Sequence, residues 1–155
     1  MSSDSERKLR TELLEPERWI IRRCAGSLGG DLVGRNLHNK FLLIEEKTVG
    51  ERENTGTWCY NTSSDKEQYD EMLELLEEKD VPCLFAIRWK GVPDHYNTPE
   101  WNKWEVFIPG DENSIYRSNQ EYPSYRLNDG YDAEQVFRNL LYAESMLDYL
   151  LDLRS

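Results

Sequence analysis

The chain has 155 residues, 38% of them hydrophobic and 32% charged, with a formal net charge of −11. That length suits a single domain, and five Trp, nine Tyr and four Phe supply enough apolar bulk to exclude intrinsic disorder. The longest apolar stretch, Val81 to Ile87, is far short of the ~20 residues a membrane helix needs, and residues 1–30 carry no basic-then-apolar leader. Cys24, Cys59 and Cys83 form no CxxC pattern and His38 and His95 are the only histidines. This excludes a disulfide framework, a zinc site of paired cysteines and a His-rich metal cage, and fits a cytoplasmic protein. Charge is uneven. Residues 1–60 hold ten Lys/Arg and ten Asp/Glu, a balance of zero, while residues 61–155 hold nine and twenty, a balance of −11. Any basic surface must come from the first third, and the acidic remainder reads as a solvated face.

In chain order, residues 5–15 read as a helix with Leu9, Leu13 and Leu14 as its stripe and Ser5 as its cap; Pro16 closes it. Trp19 to Ile21 reads as a first strand ending in Arg22 and Arg23. A glycine loop, Gly26-Ser27-Leu28-Gly29-Gly30, leads to a second short strand at Leu32 and Val33, a turn at Gly34-Arg35-Asn36, and a third strand from Phe41 to Ile44. Residues 50–64 read as polar loop broken by Trp58 and Tyr60. Asp65 opens a second helix, with Gln68 as its capping-box partner and Tyr69, Met72, Leu73 and Leu76 at helical spacing. Val81 to Trp89 and Lys103 to Ile108 read as further strands, 109–131 as a long polar segment, and 132–153 as one final helix. This order predicts the α/β class: a central mixed β-sheet flanked by helices, in one domain over 1–155.

The segment that carries chemistry runs from Asp31 to Lys47. Asp31 ends a loop; fourteen positions later Glu45-Glu46-Lys47 closes an apolar strand. Side chains alternate along a strand, so Glu45 and Lys47 share a face and Glu46 takes the other. If the two strands form a hairpin, Asp31 comes beside Glu45. Two such carboxylates repel unless a hard cation such as Mg²⁺ bridges them. A neighbouring lysine can then orient a water or neutralise developing phosphorane charge. These are the parts of metal-assisted phosphodiester hydrolysis. Glu-x-Lys also occurs at Glu6-Arg7-Lys8 and Glu77-Glu78-Lys79, but both fall on predicted helices, where i and i+2 do not face together.

Several further segments fall in a fixed order: Glu6-Arg7, Trp19 to Arg23, Ala25-Gly26-Ser27, Asp31-Leu32-Val33, Leu43 to Lys47, Lys66 to Gln68, Leu84 to Arg88, and Trp104 to Pro109. Together with the late tyrosines and the C-terminal helix, this pattern resembles the PD-(D/E)XK nuclease superfamily and, within it, the archaeal-type Holliday-junction resolvases. Gly30 stands where the family has a proline, the loop from Ser27 to Asp31 is shorter than usual, and the chain is acidic where the family is basic. The resemblance implies a restriction-endonuclease-like nuclease core acting on branched double-stranded DNA with Mg²⁺, or Mn²⁺ as a substitute. It implies that Asp31, Glu45 and the backbone carbonyl of Glu46 hold the metal, that Lys47 is the catalytic lysine, and that Glu6 completes the acidic site. Arg7, Arg23, Ser27 and Arg35 would contact DNA. The function implied is resolution of four-way junctions by paired nicks. The alternatives are another DNA nuclease on the same fold, of repair or restriction type, and a non-cutting DNA-binding or decoy protein. A homodimer is expected, because two-fold junctions need two sites; the final helix has apolar residues both on the Val136–Leu150 seam and at Phe137, Leu141 and Leu151, so one stripe can cover the sheet while the other meets the partner.

Overall fold

A computed structural model describes residues 9, 14, 18–23, 32–53, 55–92, 102–112 and 121–155. Six strands form the main sheet in the order β1-β2-β3-β5-β6-β8, and β4 and β7 form a separate two-stranded ribbon. The strands are β1 (Ile20–Arg23), β2 (Leu32–Arg35), β3 (Phe41–Val49), β4 (Cys59–Asn61), β5 (Cys83–Lys90), β6 (Asn102–Phe107), β7 (Ser124–Arg126) and β8 (Tyr131–Asp132). The helices are α1 (Lys66–Glu77), α2 (Ala133–Tyr142) and α3 (Met146–Arg154). The β3–β5 pairing is parallel and every other pairing in the sheet is antiparallel, so the sheet is mixed, as the element order predicts. A parallel pair needs a crossover, and here it contains β4 and α1.

Register partners share a face of the sheet. One face carries Ile21, Gly34, Leu42, Ile44, Leu84, Ala86 and Val106. It is covered by α2, whose Val136, Phe137, Leu140 and Leu141 are all buried, and by Trp19, which meets Phe137 edge-on at 6.1 Å between centroids. The other face carries Leu43, Glu45, Lys47, Cys83, Phe85, Ile87, Trp89, Glu105 and Phe107. It is covered by α1, through Tyr69 and Met72, and by the aromatic side of the ribbon: Tyr125 stacks on Phe107 at 4.4 Å and tilts against Phe85 at 5.7 Å.

Four expectations are corrected. Gly34 and Arg35 belong to β2, and the turn is Asn36–Lys40, with Asn39 at φ 60°. Gly34 is in a strand because Trp19 lies where a side chain would be: a Cβ there would sit 2.9 Å from the Trp19 ring. The supposed loop 50–64 contains β4, and the polar segment 109–131 contains β7; each is too short to show an alternation of its own, and they exist as each other's partner. The helix over 132–153 is two helices. Ala143 adopts extended backbone (φ −74°, ψ 130°) and Ser145 caps α3 by accepting from the Asp148 N–H at 3.1 Å.

The break has a partner elsewhere. The Asn36 side chain donates to the carbonyls of Leu140 (2.9 Å) and Ala143 (2.8 Å), and its oxygen accepts from the N–H groups of His38 and Lys40, both at 3.0 Å. Leu37 N–H reaches the Leu141 carbonyl at 3.1 Å, and the His38 ring meets the Tyr142 carbonyl at 3.1 Å. The β2–β3 turn thus donates to carbonyls at the end of α2, where the Leu140 carbonyl also accepts from the Ala143 N–H at 3.2 Å. Leu9 and Leu14, from the first predicted helix, are fully buried; the rest of that segment lies outside the described residues.

Candidate active site

Glu45, Glu46 and Lys47 are consecutive on β3, and the alternation expected of them is present. The Lys47 ammonium lies 3.5 Å from Glu45 Oε2. Glu46 faces the other way, where its Oε1 accepts from the Thr48 hydroxyl at 2.9 Å. Glu45 is 3% exposed although it is a carboxylate on a strand. Its neighbours across the β3–β5 register are apolar, Phe85 opposite Glu45 and Ile87 opposite Lys47. The ribbon closes over the same place: the Lys47 Nζ lies 5.8 Å from the centroid of the Tyr60 ring. A buried carboxylate beside a cation, walled by apolar and aromatic groups, sits where electrostatic interactions are weakly screened.

Tyr60 was not singled out as a site residue in the sequence. The available signal was the pair Trp58 and Tyr60, two residues apart in an otherwise polar stretch, which is strand spacing. Both close over the sheet: Trp58 Nε1 donates to the Lys90 carbonyl at 2.9 Å. Burial raises the Tyr60 phenol above its ordinary range, with Lys47 opposing that shift.

Other expected site residues fall differently. Arg23 ends β1 and is exposed; Arg35 ends β2 and is half-buried, and its Nε is buried with no hydrogen-bond partner among the described residues. Asp31, Glu6, Arg7 and Ser27 lie outside the described residues. Among the described residues no three His, Cys, Asp or Glu side chains converge in a group that could hold a metal ion. Asp65 caps α1 by accepting from the Gln68 N–H at 3.2 Å, but the Gln68 side-chain oxygen is buried with no hydrogen-bond partner among the described residues, so only the Asp65 half of the expected capping box is present. Arg88 is buried on the face opposite Glu45, with Thr48 and Trp104 as its register neighbours. Its Nε and Nη1 have no hydrogen-bond partner among the described residues. Of the two apolar stripes, one of them expected to meet a partner subunit, Val136, Leu140 and Leu150 on the seam and Phe137 and Leu141 beside it are all buried within the chain.

The mixed six-stranded sheet, covered on one face by α2 and on the other by α1 and the ribbon, is an α/β architecture. Among solved structures, it is similar to Hjc from Archaeoglobus fulgidus, a Holliday junction resolvase from an archaeal hyperthermophile, with a TM-score of 0.56 and 16% sequence identity over 85% of this chain and 91% of that one. No family model matches the sequence, and no curated protein matches it. Among the described residues no helix is long and apolar enough to cross a membrane.

Proposed function

We propose that the protein is a metal-dependent endodeoxyribonuclease that resolves four-way DNA junctions. The observation that carries this reading is the Glu45–Lys47 pair at 3.5 Å, sharing the buried face of β3 in a fold similar to that of a Holliday junction resolvase. In the β2–β3 ladder Leu32 pairs with Ile44 and Val33 with Leu43. Asp31 directly precedes Leu32 in the sequence, and on the proposed reading its carboxylate joins that of Glu45. On this reading Asp31, Glu45 and the Glu46 carbonyl hold Mg²⁺, which favours a few carboxylates plus water and phosphate oxygens. Glu6 completes the acidic site. A metal ion held there would supply Lewis-acid activation of the phosphate and of an attacking water. Lys47 orients that water or offsets negative charge on the phosphate as it is attacked. Arg7, Arg23, Ser27 and Arg35 contact the DNA backbone, fixing its position without reading its sequence.

A two-fold symmetric junction needs two nicks, and one Glu45–Lys47 site supplies one. A homodimer with C2 symmetry supplies both. Light scattering together with a cruciform-plasmid assay tests this. A dimer that linearises the plasmid by paired nicks is expected. A monomer that leaves nicked circles reduces the reading to a simpler nuclease of repair or restriction type. A chain that binds the cruciform and never cuts it, with or without Mg²⁺, is the non-cutting DNA-binding protein.

A further inference from the structure

We propose that Tyr60 is a positioning residue for Lys47: its ring face holds the lysine ammonium beside Glu45. This rests on the nuclease reading above.

A lysine is a flexible four-carbon stem ending in a strongly hydrated charge, and ordering it costs conformational entropy. Here the stem is held. The Lys47 side chain is a quarter exposed, and its Nζ lies 3.5 Å from the Glu45 carboxylate and over the Tyr60 ring, 5.8 Å from the centroid. That second distance is within the reach of a cation–π contact. Carboxylate and ring each restrict the position of the ammonium.

The ring is itself fixed. Tyr60 pairs with Tyr125 in the ribbon register, and their rings lie 6.5 Å apart at 30°. Tyr125 is fully buried and stacked on Phe107. The ribbon is tied down at both ends: Thr62 Oγ1 donates to the Pro123 carbonyl at 2.7 Å, and Leu127 N–H to the Trp58 carbonyl at 3.1 Å. What the site needs from Tyr60 is therefore the aromatic face and not the hydroxyl. Phenylalanine keeps that face and leucine removes it.

The test uses the full chain with ¹³C-labelled lysine side chains, together with Mg²⁺-dependent cleavage of a labelled four-way junction. The Lys47 resonance is assigned by its loss in Lys47→Arg. Its ε-methylene protons should be shifted upfield by the ring in the wild type and in Tyr60→Phe, and return to the ordinary range in Tyr60→Leu. The kcat of Tyr60→Leu should fall about tenfold with KM within twofold, the loss expected from removing a contact of this class, while Tyr60→Phe stays near wild type. An ordinary Lys47 shift in the wild type overturns the proposal without any variant needing to fold. Full kcat in a folded Tyr60→Leu overturns it with the nuclease reading intact. A wild-type chain that cleaves nothing overturns the nuclease reading and the catalytic role, whereas the lysine shift still reports the contact.

Discussion

Glu45 and Lys47 meet at 3.5 Å on one face of β3, and Glu46, between them, turns its carboxylate to the opposite face and the Thr48 hydroxyl. Two adjacent glutamates, both buried, thus have different surroundings. Removing the charge on each should separate their roles. Glu45→Gln should lower Mg²⁺-dependent cleavage by at least about a hundredfold, because the metal loses an anionic ligand. Glu46→Gln, which keeps the backbone carbonyl, should stay within about tenfold of wild type, its side chain lying off the reacting face. Steady-state kcat on a labelled junction checks both.

Asn36 should be the most sensitive polar residue of the scaffold. Its side chain makes four hydrogen bonds, two to α2 carbonyls and two to the turn. Asn36→Ala removes all four bonds and should cost about 2–4 kcal/mol, measured by denaturant unfolding. Asn36→Asp should be no better, since it sets an anion against two carbonyls at the negative end of a helix.

Burial pushes the Cys83 thiol up to about 12, while its Sγ donates to the Met72 carbonyl at 3.2 Å. The native state therefore holds the proton after the unfolded chain, with a thiol near 8.5, has released it. The unfolded state then binds fewer protons, so this group's contribution to stability is complete below about pH 8.5 and is lost as pH rises toward 12. Cys83→Ala should flatten the alkaline limb of the Tm profile. In the native wild type, the peptide carrying Cys83 should stay unmodified by iodoacetamide at pH 8, where half-buried Cys59 reacts.

Binding to junction DNA should weaken with salt, through release of counterions from phosphates. Arg22, Arg23 and Lys40 are exposed, and on the proposed reading Arg23 contacts a phosphate. Arg23→Gln should lower affinity equally on all junction sequences and reduce the salt slope by about 1. Titrations between low and moderate salt, with wild type and variant side by side, give both numbers. A slope unchanged by the substitution removes Arg23 from the contact set.

The parts of the fold with a strong period were legible in the sequence. Tyr69, Met72 and Leu76 are buried on α1 as their spacing requires, and the apolar run from Val81 contains the buried strand β5. The Glu45–Lys47 pair was legible for the same reason, since alternation on a strand is local geometry. What was missed depends on partners distant in the chain. The three residues of β4 are a strand because Ser124–Arg126 pairs with them. The α2–α3 break carries no proline or glycine; it is matched by Asn36, more than a hundred positions earlier. Gly34 reads as a turn residue until Trp19 is seen lying against it. Tyr60 belongs with Lys47 only once the ribbon is folded over the sheet.

The most direct measurement is cleavage of a labelled four-way junction and a duplex of matched sequence, each with and without Mg²⁺, by the wild type and by Glu45→Gln. Symmetric nicks in the junction are expected that need both Mg²⁺ and Glu45, with the duplex left whole and with Glu45→Gln still binding the junction. Equal cleavage of junction and duplex, or cleavage by Glu45→Gln at the wild-type rate, would contradict the proposed function.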